Sequence, residues 1–392
     1  MPGSLNLQLI YNAVQKILLF ISFFLYGQNA VFAQNSYVDS LLTRIAGYQV
    51  ADADPYYEQG MFPSQRIYLS RKRPAKEDDN IFFTGLIVWT LKTIREELSF
   101  ENRQIVDALC EKAQKNYSRY RNKDGGPTYN FWQTKPSKHF PNSAYFSARK
   151  KYILPDDLDD TSIIYLSADF ADSLKDAVKK LIAENANSAK RTIRNTYKKY
   201  KSIPAYSTWF GKNMPVDFDI CVQANGLRFV LDNRFRLDKY DSATIHLVNR
   251  MVASGKYLKR TPYNAPHYQK ASIILYHLAR LIAAHPQHKE LYDLKPVLVQ
   301  DIRNQLQKIT NGMEKVLLQT SLLRLGERGA ERIIVSPEDM EGFYFFVANM
   351  TSVFPNPVKG LFAASRKTNF FYHSQAYYLT LLLEYEMLRL GS

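Results

Sequence analysis

Apolar residues recur along most of this chain at spacings of three and four positions. Side chains at those spacings share one face of a helix, so the pattern predicts amphipathic helices. Strict apolar–polar alternation is scarce, and the one strand candidate, residues 333–335, is too short to build a sheet. The pattern therefore predicts an all-α fold. The clearest apolar faces cover 81–94, 105–113 and 163–170, and further helices are predicted to start near Asp219, Ser242, Tyr268, Leu294, Met313, Asp339 and Phe371.

Polar or acidic clusters precede several of the predicted helices. They occupy residues 77–80, 156–160, 215–219, 263–266 and 369–374. Carboxylates and small polar side chains at a helix start satisfy free backbone N–H groups and favour the helix dipole. In a closed ring of helical hairpins, alternate helix starts would also gather at one end and line a shared cavity. The clusters are therefore either caps or parts of one pocket.

The first residues have the layout of a secretory signal peptide. Lys16 precedes an apolar run at 17–25, and the small residues Val31 and Ala33 follow. The run is shorter than the ~20 residues that a transmembrane helix needs. We therefore expect a signal peptide over residues 1–33, a single domain over 34–392, and export to the periplasm or the extracellular space. An uncleaved anchor is the alternative.

The chain is basic, with 52 Lys and Arg against 37 Asp and Glu and a formal net charge of +15. Such a balance can favour nucleic acid, anionic lipid or a polyanionic glycan. An exported protein rarely meets nucleic acid, so we do not expect that partner. Much of the excess lies in the basic tract 190–201. We interpret this tract as a solvated helix face, or alternatively as a basic rim beside a pocket or at a membrane surface.

Cysteine content and familiar motifs exclude several function classes. Two cysteines, Cys110 and Cys221, cannot form a disulfide scaffold at this length, although one bridge between them stays open. The sequence has no glycine-rich phosphate loop, no Rossmann fingerprint, no H-E-x-x-H and no G-x-S-x-G. We therefore expect no cofactor and no metal.

Two short stretches resemble a known superfamily. Residues 121–126, Arg-Asn-Lys-Asp-Gly-Gly, followed by Trp132, resemble the Asp-Gly-Gly turn of prenyltransferase and squalene-cyclase repeats. Residues 157–161, Asp-Leu-Asp-Asp-Thr, resemble the D-x-D-D-T pattern of class II terpene cyclases. The resemblance implies an α/α-toroid of about six helical hairpins, as in terpenoid cyclases and protein prenyltransferases.

The same resemblance implies catalytic roles for the acidic cluster. Asp159 would be the general acid that protonates an alkene or epoxide, with Asp157 and Asp160 as its neighbours. Crowded carboxyl groups in a desolvated pocket cannot all ionise, so one of them would keep its proton. The alternative is that the cluster only caps the helix that follows.

A second branch of the superfamily offers a metal-dependent alternative. Residues 219–221, Asp-Ile-Cys, and 372–374, Tyr-His-Ser, resemble the zinc-binding pieces of protein prenyltransferase β-subunits. That resemblance implies zinc at Asp219, Cys221 and His373, a set whose geometry the sequence does not test.

The remaining candidate residues are polar or aromatic side chains near the predicted helix starts. Asn225 interrupts an apolar stretch, and it either makes an inter-helix hydrogen bond or faces Asp159 in a pocket. The candidate substrate-binding residues are Asp217, Asp219, Asn225, Trp209, Tyr263, His267, Tyr372 and His373.

These residues suit a small hydrophobic ligand or a saccharide. Exported α/α-toroids also include carbohydrate-active hydrolases, lyases and epimerases. In that alternative Asp159 and Asp217 would supply the two carboxyl groups that hydrolysis needs, and Trp132 and Trp209 would stack on sugar rings. A non-catalytic toroid that binds a ligand or a partner is the third alternative.

Overall fold

The computed structural model describes residues 36–69, 73–149, 152–212, 214–349, 351–366 and 369–391. The signal peptide predicted over residues 1–33 lies outside them. The described chain is mostly helical, with one small sheet. Among its helices, none combines the length and the apolar character needed to cross a bilayer.

Helices of very different length make up most of the described chain. The longer ones are α1 (36–48), α2 (Ile81–Ile94), α3 (Phe100–Gln114), α6 (Leu158–Ser167), α7 (Asp172–Asn185), α8 (Ile220–Asp232), α9 (Lys239–Ala253), α12 (Ala271–Ala284), α14 (Lys295–Leu306), α15 (Gly312–Arg324) and α18 (Gln375–Leu390). The short ones are α4 (Tyr117–Tyr120), α5 (Ala144–Ser147), α10 (Lys256–Lys259), α11 (Thr261–Asn264), α13 (Lys289–Tyr292), α16 (Pro337–Glu341) and α17 (Val358–Phe362).

The sheet corrects the predicted all-α fold. Its strands are β1 (Gln65–Ile67), β2 (Lys76–Glu77), β3 (Phe346–Ala348) and β4 (Phe370–His373), in the order β2-β1-β4-β3. Every pairing is antiparallel, with Gln65 opposite His373 and Phe346 opposite Tyr372. Strands of two to four residues are too short to show alternation in a sequence. The candidate strand at 333–335 has no regular structure.

Six helices contact one another in a closed cycle. α2 packs against α6, α6 against α8, α8 against α12, α12 against α15, α15 against α18, and α18 again against α2. Other helices pack against members of the cycle: α3 on α2, α9 on α8, and α14 on both α12 and α15. Most residues of the helices in the cycle are buried, polar ones included, because these helices are covered on more than one side.

Two glycines bring α6 very close to its neighbours in the cycle. A Cβ on Gly85 of α2 would lie 2.9 Å from the side chain of Ile163, and one on Gly226 of α8 would lie 2.9 Å from that of Leu158. Both contacts are shorter than carbon atoms allow, so these positions require glycine as packed. The helix that carries the acidic motif is thereby fixed between α2 and α8.

Several predicted boundaries shift by a few residues. The helices predicted near Ser242 and Tyr268 begin at Lys239 and Ala271. The helix predicted near Phe371 begins at Gln375, because 370–373 pair in the sheet and Ser374 caps the helix by accepting from the N–H of Tyr377. The basic tract 190–201 is not a helix face; apart from a 3-10 turn at Lys198–Tyr200 it is loop.

Candidate active site

A cavity of about 630 Å³ lies where helices of the cycle begin. The segment before each of five of these helices contributes a residue to its wall. These residues are Asp78 before α2, Asp157 before α6, Trp209 before α8, His267 before α12 and Tyr372 before α18. The volume lies within the range that holds a small-molecule ligand, about 300–1,000 Å³.

Aromatic residues are the most frequent type in the cavity wall. The Phe131 and Phe346 rings stack with centroids 5.3 Å apart, and the His267 ring lies nearly parallel to Phe346 at 5.7 Å. Carbons dominate the surface that a ligand would meet. The aromatic wall residues are Phe131, Trp132, Phe140, Phe146, Tyr152, Trp209, Phe346, Phe354, Phe362, Phe370 and Tyr372.

Asp157 both caps α6 and faces the cavity. Its backbone is extended, and its carboxylate accepts the N–H of Asp160 at 2.8 Å. The segment is held in place because the N–H of Leu158 donates to the carbonyl of Thr208 at 2.8 Å. Burial raises the pKa of Asp157 to about 7, and the negative charge of Asp159 adds to the effect. The cap and the pocket acid are the same side chain.

Asp160 is the hydrogen-bonding partner of that acid. The two carboxyl groups bond to each other, and Asp160 is 3% exposed. Burial and the neighbouring Asp157 carboxyl raise the pKa of Asp160 well above its ordinary value. Two such close carboxyl groups cannot both ionise, so the pair holds at least one proton near neutral pH.

Asp78 is a second carboxyl group on the same wall. It accepts hydrogen bonds from Trp132 Nε1 at 2.8 Å and from Asn142 Nδ2 at 3.1 Å. Burial raises its pKa to about 6, although these two donors act in the opposite direction. The polar cluster at 77–80 was predicted either to cap a helix or to line a pocket, but Asp78 was not among the candidate site residues; its position before α2 was the available signal.

His267 offers a proton acceptor on the wall of the same cavity. Its Nδ1 lies 3.0 Å from the carbonyl of Val347, and a carbonyl only accepts, so Nδ1 carries the proton. Nε2 then has a free lone pair, and it is buried without a partner among the described residues. Burial lowers the pKa of His267, which keeps the ring neutral. The ring orientation is fixed by Phe346 on one face and by the edge contact with Trp209.

Asp159 lies in the ring of helices rather than on the cavity wall. Asn225 Nδ2 donates to one of its oxygens at 2.7 Å, and the hydroxyl of Tyr268 donates to the other. Arg280 Nη2 donates to Asn225 Oδ1 at 3.0 Å and stacks over the ring of Trp89 at 3.6 Å. Burial raises the pKa of Asp159 to about 6, and these donors limit the rise. Asn225 therefore links α6 to α12 and also faces Asp159.

The other candidate residues have structural partners and do not belong to the wall formed by the described residues. Asp217 pairs with Lys359 Nζ at 2.6 Å and accepts the Ser352 hydroxyl at 2.5 Å. Asp219 caps α8 and accepts the backbone N–H of His267 at 2.9 Å, while burial raises its pKa to about 8. The hydroxyl of Tyr263 contacts Asn356, and His373 Nε2 lies 3.0 Å from Gln65 Oε1.

The three zinc ligands implied by the resemblance are not brought together. Throughout the described residues, no group of three or more His, Cys, Asp or Glu side chains is placed to hold a metal ion. Both oxygens of Asp219 already accept backbone N–H groups. Cys110 and Cys221 are both buried free thiols, so the bridge left open between them is absent.

A second, more polar cavity of about 870 Å³ lies beside the first. The two share the wall formed by Asn130 and residues 153–155. Lys190 and Arg191, at the start of the basic tract, line this second cavity together with Asp156 and His139. Part of the tract is therefore a basic rim beside a pocket, although not beside the aromatic one.

Comparison with models of protein families, with curated proteins and with solved structures gave no match for this chain.

Proposed function

We propose that this protein is an acid–base enzyme that isomerises or cyclises an unsaturated, isoprenoid-like ligand, with Asp157 as the proton donor. The observation that carries the proposal is one buried carboxyl group, with a pKa of about 7, on the wall of a mostly apolar cavity that is rich in aromatic rings. Protonation of an alkene needs an acid that keeps its proton at working pH. With a pKa of about 7, Asp157 is protonated in part at neutral pH, and Asp160, whose pKa is raised further, can supply it with a proton.

The proposal moves the acid from Asp159 to Asp157 within the same motif. Both oxygens of Asp159 accept hydrogen bonds from protein groups, and its side chain does not line the cavity in the described residues. Asp157 lines the cavity and is paired with a second acid that can return a proton to it. Superfamily membership and the α/α-toroid remain part of this proposal, supported by the motif and by the closed cycle of six helices.

The proposed reaction begins with proton transfer from Asp157. The π electrons of a ligand C=C bond form a new C–H bond, and the adjacent carbon becomes a cation. Aromatic rings of the cavity wall would stabilise that cation through their quadrupoles. A neighbouring C–H then loses its proton to His267 Nε2, and its electrons form the product double bond. The step needs no co-reactant, because one proton is added and one is removed.

The test is turnover of linear isoprenoids in D₂O, followed by mass spectrometry. The wild type should incorporate one solvent deuteron per product. Asp157→Asn should lose roughly 10²–10⁴-fold in rate, the usual contribution of a general acid, and should stay folded because Asn is also a good N-cap. Asp176→Asn, an exposed aspartate on α7, is the matched control and should keep full activity. Unchanged turnover in Asp157→Asn would refute the assignment.

One observation favours a saccharide as the second candidate substrate. Asp78 and Asp157 both face the cavity with raised pKa values, and Trp132 and Trp209 lie on the same wall. Two carboxyl groups are the usual requirement of glycoside hydrolysis. They replace the pair Asp159 and Asp217, which do not line the cavity in the described residues. An oligosaccharide panel in the same assay separates the candidates, since hydrolysis adds the mass of one water and isomerisation adds none.

The proposal also includes export. It is supported by the sequence alone, through the basic residue, apolar run and small residues of positions 16–33. Determination of the N-terminal residue of the protein purified from its native cell tests it, and Gln34 is the expected result.

A further inference from the structure

Two segments at the mouth of the aromatic cavity expose large apolar side chains. We call residues 140–149 the first lip and residues 353–366 the second lip. Phe140 and Phe146 of the first lip, and Phe354 and Phe362 of the second, also line the cavity. The rings of Phe140 and Phe146 are 5.4 Å apart, and those of Phe354 and Phe362 are 5.8 Å apart. Each lip is therefore an aromatic pair that continues from the cavity wall to the surface.

The outermost side chains of the lips face water. Leu361 is 75% exposed and Tyr145 is 55% exposed, and neither lines the cavity. Exposed apolar residues that occur singly are ordinary, but a patch continuous with an apolar cavity marks an interaction surface. Six of the thirteen exposed large apolar side chains in the described chain belong to the two lips: Tyr145, Phe146, Val353, Phe354, Leu361 and Phe362.

The charge of both lips has a single sign. The sequence contains no Asp or Glu from residue 125 to 155, and five basic residues occur there. It again contains none from residue 342 to 383, where Lys359, Arg366 and Lys367 occur; Lys359 is buried and paired with Asp217, so it adds no charge at the surface. Arg149 lies over the ring of Tyr145 at 3.7 Å, so a cation sits directly beside an exposed aromatic ring. Although the sequence has 37 Asp and Glu residues, neither of the two segments that form the mouth contains one.

We propose that the two lips dock on an anionic lipid surface, with the cavity mouth facing the bilayer. Aromatic and aliphatic side chains beside basic ones are the chemistry of interfacial membrane binding. A second copy of this chain fits less well, because two basic lips would repel each other. An apolar ligand could then pass from the lipid into the cavity without crossing water. This docking surface is inferred from the exposed side chains and the charges of the two lips, and it does not depend on the chemistry proposed for Asp157.

The test is co-sedimentation of the full chain with vesicles of phosphatidylcholine, with and without phosphatidylglycerol. Wild type should bind the anionic vesicles at least about tenfold more strongly, and added salt should weaken that binding. The double variant Tyr145→Asp/Leu361→Asp should weaken it by a further tenfold or more, since it places two carboxylates in the interface. Any contribution of residues 1–35 is common to both proteins and cancels.

A matched control uses equally exposed apolar residues outside the lips. Phe100 is 70% exposed and Ile334 is 89% exposed, so Phe100→Asp/Ile334→Asp makes the same chemical change elsewhere. This variant should bind like wild type, and thermal unfolding should show that both double variants are folded. Equal binding of wild type and the lip variant would overturn the proposal. So would a dimer of the wild type that the lip variant abolishes, because the lips would then be a self-association surface.

Discussion

Asp157 and Asp159 stand two residues apart in one motif, yet they belong to different regions of the molecule. Asp157 faces an aromatic cavity, and its partner is another carboxyl group. Asp159 accepts hydrogen bonds from Asn225 of α8 and from Tyr268, which lies just before α12. Successive helical residues point about 100° apart, so an N-cap and the second residue after it face different directions. Burial raises the pKa of both, and only the surroundings distinguish a candidate acid from a structural one.

The largest expected effect comes from removing Arg280, the cation beside Asp159. Arg280→Met should lower the free energy of unfolding by about 3–5 kcal/mol at pH 8, because a buried Asp159 carboxylate would lose its compensating charge. Urea denaturation measures the loss. At pH 5 the loss should be smaller, since protonated Asp159 needs no cation. Arg236→Met, at an exposed position, is the matched control and should change little. An equal loss at both pH values would show that Arg280 acts through packing alone.

On the cavity side, we expect substitution of Asp157 to raise the free energy of unfolding at alkaline pH rather than to lower it. The pKa of Asp157 is about 7 in the folded chain, above its ordinary value of 3.8. The folded state therefore binds the proton more tightly, and that stabilisation is complete below about pH 4 and is lost as pH rises through 7. Because Asn resembles the protonated carboxyl, Asp157→Asn should match wild type at pH 4 and exceed it at pH 8 by on the order of 2–4 kcal/mol.

Chemical denaturation of both proteins across this pH range checks the crossover. Asp159→Asn is the informative comparison, because its amide would face the donors Asn225 and Tyr268 and would leave Arg280 uncompensated. The free energy of unfolding of Asp159→Asn at pH 8 should therefore rise by less than that of Asp157→Asn. If the two variants behave alike, the distinction between the two regions is wrong.

The sequence predicted the helical character of the chain and several helix starts correctly, since periodicity over ten or more residues averages out local exceptions. The sheet was missed because its strands are shorter than any pattern that periodicity can detect. Asp78 was missed because a polar residue before a helix has the same sequence signature whether it caps, lines a cavity or does both, as Asp157 does. Which member of the D-x-D-D motif faces the cavity depends on helix packing, and a motif carries no such information.

The smallest expected effect tests how α6, which carries Asp159 and is capped by Asp157, is held in position. Gly226→Ala would place a Cβ 2.9 Å from the Leu158 side chain, on the residue between Asp157 and Asp159. We expect a stability loss of about 1–3 kcal/mol from overpacking, together with a shift of α6 away from α8 that lengthens the Asn225–Asp159 hydrogen bond. Gly47→Ala is the control, since a Cβ there meets nothing within 4 Å and its helix should gain up to about 1 kcal/mol. Thermal unfolding measures both changes. If Gly226→Ala is as stable as wild type, Leu158 can move aside, and α6 is fixed by its hydrogen bonds rather than by close packing.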